Sequence, residues 1–239
     1  MSELASSKIN KDTDFLSGAL LLINKPAEWT SFDVVKKIRN LIKKKLHLKK
    51  IKVGHAGTLD PLATGLLIVC TGKFTKRIDE IQGQKKTYTG NLILGGATPS
   101  YDLETEVNQT FETSHITKES LEEAAKQFVG KINQIPPIFS ALKKDGKRLY
   151  KLARKNKEIK LESRKVTIHS FKIIDLNMPI VSFKIACGKG TYIRSIANDF
   201  GRALNSGAHL SKLCRTEIGE YNLKDSFSLN EVEDKIKLI

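Results

Sequence analysis

The stretch GHAGTLDPLATGLLIVCTG, Gly54–Gly72, changes character halfway along: a glycine-rich loop with one proline runs into the unbroken apolar segment Leu66–Cys70. Such a run, bounded by turn-forming residues, reads as a buried strand. The loop before it gathers Gly54, His55, Gly57, Asp60, Pro61 and Gly65 in a segment that otherwise heads for the core. Asp60 is the first acid after Asp33, and the 26 residues between them are all neutral or basic. Nearby cations favour the ionised form of a carboxyl group. A carboxylate held ionised on a stiff loop suits nucleophilic or general-base work at a sugar or a base. An Asp-Pro pair is also how an ordinary turn begins, and a single carboxylate is not the acid pair of ordinary glycosidases.

Upstream, Gly18–Ile23 reads as a strand and Asn24-Lys25-Pro26 as a turn. Thr30 reads as the N-cap of a helix in which Asp33 follows at the capping-box position. Phe32, Val35, Ile38, Leu41 and Ile42 recur at helical spacing, and nine Lys or Arg with no acid lie between Val34 and Val53. Residues 1–17 are polar and without period, which reads as a mobile arm with the fold beginning at Gly18. Downstream, Tyr88, Leu92 and Leu94 mark a strand closing on Gly95-Gly96. Thr117 caps a helix carrying Leu121, Ala124, Ala125 and Phe128. Val166–Ile173 and Val181–Cys187 pair as strands. Gly188-Lys189-Gly190-Thr191 leads into a helix with Ile193, Ile196, Ala197, Phe200 and Leu204.

Charge is segregated along the chain. Seven acids and one base occupy Asp102–Glu123, whereas twelve Lys or Arg and three acids occupy Lys143–Lys172. The 239 residues carry 41 Lys or Arg against 26 Asp or Glu, a net charge of +15. Such an excess gains free energy by displacing counterions from a polyanion, so a nucleic acid or an anionic surface is the expected partner. A 40 % hydrophobic content with few Gly and Pro excludes a disordered or collagen-like chain. The apolar run Ala19–Ile23 is far shorter than the roughly 20 residues of a spanning helix. Cys70, Cys187 and Cys214 are scattered and odd in number, the pattern of reduced core thiols in the cytosol. The five histidines show no metal-ligand spacing, and no nucleotide-cofactor motif is present. The reading is of an enzyme without metal or cofactor.

With these features in hand, GHAGTLDPLATGLL resembles the signature of the bacterial tRNA pseudouridine-55 synthase family, stand-alone enzymes acting on one uridine of the tRNA T-arm loop. Four further blocks resemble the family in the same order: Gly18–Arg39, Lys85–Glu104, Ile135–Arg154 and Cys187–Tyr221. Together they span about Gly18–Ser228. The resemblance implies a mixed α/β (α+β) fold: a single catalytic domain over 18–239 with an antiparallel-rich central sheet, flanking helices and a basic RNA-gripping insertion near 131–160. It also implies a cytoplasmic monomer whose partner is tRNA, with no cofactor, metal or membrane. Family members commonly continue past the position of Ser228 into a small RNA-binding domain, and eleven residues are too few for one, so that domain is expected to be absent.

Carried over residue by residue, the resemblance makes Asp60 the nucleophile. Tyr88 is the ring that stacks on the displaced uracil and takes part in removing the C5 proton, and Arg194 is the guanidinium that pairs with Asp60. His55, Leu213, Asp102 and Tyr192 fall on the substrate-binding side. Lys25 and Lys143 match motif positions there without a clear chemical role. Two other functions fit the same charge: a tRNA-binding folding chaperone with a vestigial site, and a guide-RNA-dependent synthase. Intact Asp60, Tyr88 and Arg194 argue against the first, and the form of DPLATGLL argues against the second.

Overall fold

Leu20–Lys25 (β1) and Thr64–Thr71 (β3) pair antiparallel in the computed structural model, with Leu20 opposite Cys70 and Lys25 opposite Gly65. Both strands are apolar at successive positions because both faces are covered. One face sends Leu21, Ile23, Leu67 and Val69 into one core cluster, and the other sends Leu20, Leu22, Leu66, Ile68 and Cys70 into a second. The structure describes residues 9–140, 143–144, 147–149 and 161–239. It has two compact units, residues 1–88 with 213–239, and residues 89–212. Both passages between them fall inside a strand, at Tyr88–Thr89 in β4 (Lys86–Leu94) and at Lys212–Leu213 in β12 (Ala208–Ile218).

In the first unit the strand order is β1–β3–β12–β4, with the short β2 (Val53–His55) antiparallel to β3 and β13 (Tyr221–Asn222) antiparallel to β12. β3 and β12 run parallel, Thr64 beside Cys214 and Gly65 beside Arg215. Helix α1 (Ser31–Lys45) starts at the expected place: the Thr30 side chain accepts the Asp33 amide and Asp33 answers to the Thr30 amide. Its Val34, Val35, Ile38 and Ile42 pack on the first cluster with Leu229, Val232 and Ile236 of the last helix, α5 (Leu229–Leu238). Helix α2 (Ile78–Gly83) follows a 3-10 turn over Gly72–Arg77. Ile9 and Phe15 are buried in the first cluster too. The expected arm to Ser17 therefore reaches too far: two apolar residues set among polar ones carry no period, yet each fills a place in the core. Residues 1–8 lie outside the described residues.

In the second unit the order is β12–β4–β11–β10–β7, where β10 is Arg164–Asn177, β11 Ile180–Cys187 and β7 Gly130–Gln134. β10 is antiparallel to both β11 and β7. Val181, Phe183, Ile185 and Cys187 alternate into the core. Helices α3 (Lys118–Gln127) and α4 (Ile193–Ala203) bring Phe128, just past the end of α3, and Phe200 against Phe171 in edge-on and tilted contacts at centroid distances of 5.1–6.1 Å. Two small ribbons complete the unit: β5 (Gly96–Ala97) with β6 (Gln109–Thr110), and β8 (Lys143–Lys144) with β9 (Lys147–Arg148). The mixed α/β architecture with helices flanking an antiparallel-rich sheet is the one expected from the sequence. Half of the expected basic insertion lies outside the described residues, including Ala141, Leu142 and Tyr150–Lys160.

Candidate active site

Asp60 sits on the loop that leaves β2 and enters β3, and nearly every turn of that loop is tied down from below. Lys25, fully buried at the end of β1, donates from Nζ to the carbonyls of Pro26 (2.7 Å), Trp29 (2.7 Å) and Pro61 (3.2 Å). An ammonium has three donors, so all are engaged. The amide of Glu28 adds a second bond to the Pro61 carbonyl at 2.8 Å. Ser31, buried at the start of α1, exchanges two bonds with Leu59. Lys25, placed by its motif position on the substrate-binding side without a clear chemical role, thus acts on the loop: its donors are spent on backbone carbonyls.

The opposite side of the loop is held by a residue that the sequence reading passed over. Arg215, 1 % exposed, donates from Nε to the Leu66 carbonyl at 2.8 Å and from Nη2 to the Gly57 carbonyl at 3.0 Å. One planar guanidinium thus spans the loop from its first turn to the strand it enters. Gly65, at φ +101°, makes this approach possible: a Cβ there would stand 2.4 Å from the Arg215 carbonyl oxygen. Only glycine fits.

These buried cations set the local electrostatics. Burial pulls the Lys25 ammonium down to about 8, opposed by the negative charge of Asp60 and reinforced by Arg215. Asp60 is thus within electrostatic reach of Lys25. Burial, then Arg215, pushes His55 below its ordinary value, so its ring is neutral at pH 7. His55 lies in β2, paired with Val69.

Tyr88 and Leu213 also belong to this unit. Tyr88 is buried in β4. The residue before it is fixed on both sides: Thr87 Oγ1 donates to Glu217 Oε2 at 2.7 Å, and the Thr87 carbonyl accepts from Thr216 Oγ1 at 3.2 Å. Leu213 is half-buried, two residues before Arg215 and so on the same strand face. Its carbonyl accepts from Thr64 Oγ1 at 3.3 Å.

The second unit carries Arg194, Asp102 and Tyr192. Arg194, in the first turn of α4, is buried with its Nε 3.5 Å from Asp102 Oδ2 and Nη1 3.3 Å from the Ser100 carbonyl. Asp102 is buried as well, its other oxygen accepting the Glu104 amide at 3.0 Å and its carbonyl accepting from Thr98 and Ser100. The structure places Asp102, expected on the substrate-binding side, against Arg194, whose guanidinium it orients. Tyr192 immediately precedes α4 and is half-buried. Lys143 is paired with Arg148 in the β8–β9 ribbon, and its side chain lies outside the described residues. Among the described residues, no group of His, Cys, Asp or Glu could hold a metal ion, and no helix is long and apolar enough to cross a membrane.

Residues 43–193 match the TruB family pseudouridylate synthase N terminal domain, and residues 194–239 match the tRNA pseudouridylate synthase B C-terminal domain. The tRNA pseudouridine synthase B of Flavobacterium johnsoniae is 55 % identical over 225 residues, covering 94 % of this chain and 98 % of that protein. That of Parabacteroides distasonis is 54 % identical over 221 residues, covering 92 % and 94 %. Among solved structures, a chain of a Cbf5-Nop10-Gar1 complex is similar with a TM-score of 0.66 at 26 % identity, covering 97 % of this chain and 61 % of that one. A chain of an H/ACA RNP bound to a substrate RNA containing 2'-deoxyuridine gives 0.65 at 26 %, covering 91 % and 53 %. In fold, in the order of its sequence blocks and over nearly its whole length, the chain belongs to the TruB family of pseudouridylate synthases.

Proposed function

We propose that this chain converts uridine 55 in the T-arm loop of tRNA to pseudouridine, with Asp60 as the nucleophile and without guide RNA, metal or cofactor. The observation that carries this reading is the loop itself: a half-buried carboxylate on a segment pinned by Lys25, Ser31 and Arg215. Such pinning suits a group whose task is to meet one atom in one geometry. In the reaction the N1–C1′ bond breaks, the uracil turns, C5 bonds to C1′, and the proton lost from C5 is balanced by one gained at N1. Asp60 engages the nucleotide, Arg194 is the catalytic guanidinium, and Tyr88 stacks on the displaced base and helps to remove the C5 proton. His55, Leu213 and Tyr192 form the walls around the base.

Extruding a loop nucleotide costs a few kcal/mol, which stacking on an aromatic ring offsets by about 1–3 kcal/mol. The cations of Val34–Val53 and of Lys143–Lys172 supply affinity for phosphates that is independent of sequence. The names of the Flavobacterium and Parabacteroides relatives support tRNA as the substrate, and their lengths match this chain. The enzyme acts as a cytoplasmic monomer in this reading.

Purified protein is mixed with unmodified tRNA tritiated at uridine C5. Release of tritium without added RNA, abolished by Asp60→Asn while tRNA binding persists, is the expected result. Failure of the unmodified protein to release tritium sinks the proposal, and release only with an added guide RNA points to the guide-dependent alternative.

A further inference from the structure

The turn that leads into Arg194 is gripped by two residues that face each other across neighbouring strands. Gln134 ends β7 and is fully buried; its cross-strand partner is Arg164, the first residue of β10. The Gln134 amide is spent entirely on Tyr192: Oε1 accepts the Tyr192 amide at 2.8 Å and Nε2 donates to the Tyr192 carbonyl at 3.0 Å. Arg164 stacks its guanidinium over the Tyr192 ring, 4.6 Å from the centroid, and donates to the Gly190 carbonyl. One residue past Arg194, Ser195 Oγ donates to the Ile135 carbonyl at 2.8 Å. The turn from Gly190 to Ser195 is therefore fastened by four hydrogen bonds and one stacked ring to Gln134, Ile135 and Arg164.

Helix α4 has no side-chain cap at Tyr192, and Gln134 instead holds the backbone of that N-cap residue from the end of β7. A glutamine amide bonded to both the N–H and the C=O of one residue fixes the orientation of the two peptide units that flank it. The next two side chains are the half-buried Tyr192 ring and, after Ile193, the buried Arg194 guanidinium.

We propose that Gln134 and Arg164 are positioning residues that set Tyr192 and Arg194 for the isomerisation; the inference rests on the function proposed above. They touch no substrate and act through the turn. Their removal lowers the rate of the chemical step and leaves tRNA affinity in place, because misplacing a reacting group by an ångström costs roughly a hundredfold in rate.

Four variants test this: Gln134→Met, which removes both bonds at similar volume; Gln134→Glu, which keeps the acceptor and loses the donor; and Arg164→Met beside Arg164→Lys. Single-turnover tritium release at saturating enzyme, tRNA Kd, and amide exchange of the segment 188–199 by mass spectrometry are measured on each. Gln134→Met is expected to slow single turnover by roughly ten- to a hundredfold with Kd within about twofold, and Gln134→Glu to fall between it and the unmodified protein. Arg164→Lys is expected to retain more rate than Arg164→Met. Exchange in 188–199 is expected to rise while that of α3 stays unchanged. A rate per bound tRNA equal to that of the unmodified protein in the Met variants, or unchanged exchange in the turn, overturns the proposal. If the unmodified protein releases no tritium, the proposed function fails, and the exchange comparison still decides whether Gln134 orders the turn.

Discussion

The Ser31 hydroxyl is bonded twice to Leu59, the residue before Asp60: it accepts the Leu59 amide at 2.9 Å and donates to the Leu59 carbonyl at 3.2 Å. One small side chain at the start of a helix thus satisfies both polar groups of a buried loop residue, and it fixes the direction in which the chain enters Asp60.

Ser31→Ala leaves the amide and carbonyl of Leu59 buried without that partner. The expected loss of stability is about 2 kcal/mol, read from urea unfolding. Single turnover on tRNA is expected to slow at unchanged tRNA Kd, since the loop still presents Asp60 but no longer in one pose. A variant with reduced stability and full single-turnover rate would show that the pair serves the fold alone.

Arg215→Met removes the bridge between Gly57 and Leu66, and leaves both carbonyls without their donor. A loss of about 3 kcal/mol is expected. Arg215→Lys restores the charge but not the fork that reaches two carbonyls at once, so it is expected to recover part of the stability and little of the rate. Equal kcat in the Lys variant and the unmodified protein would argue that charge, and not the two-point hold, matters at this position.

His55 gives stability a pH dependence with a definite sign. Its folded-state value lies below 6.5, so the unfolded chain takes up the proton first as pH falls. The contribution is fully present above about pH 6.5 and is lost as the pH drops from there through the folded value, at no more than about 1.4 kcal/mol per pH unit. Urea midpoints from pH 7.5 down to 5 are expected to fall more steeply for the unmodified protein than for His55→Gln. Parallel curves would remove His55 as the cause.

What the sequence disclosed and what it hid separate by the range of the interactions. The Thr30–Asp33 cap, the alternation of Val181, Phe183 and Ile185, and the run Leu66–Cys70 are local patterns, and each stands in the structure where expected. Arg215 shows no such pattern: its partners Leu66 and Gly57 lie 149 and 158 residues away, and an arginine in a strand gives no sign that it is fully buried. The pairing of Asp102 stayed hidden for a related reason. Its partner Arg194 is 92 positions on and both are buried. Ile9 and Phe15 were missed because isolated apolar residues among polar ones resemble a tail. Lys25 and Tyr192 stood out only through the family resemblance, and their hydrogen bonds became apparent only in three dimensions.

The parallel pairing of Gly65 with Arg215 bears on how the protein is made. Asp60 leaves the ribosome on a loop that can already rest on Lys25 and Ser31, but the strand that closes the loop emerges much later, Arg215 lying 149 residues beyond Leu66. Contacts of such long range form late in folding. A nascent chain that has not yet exposed Arg215 carries its carboxylate on an unfinished support, and the loop is complete only once β12 is in place.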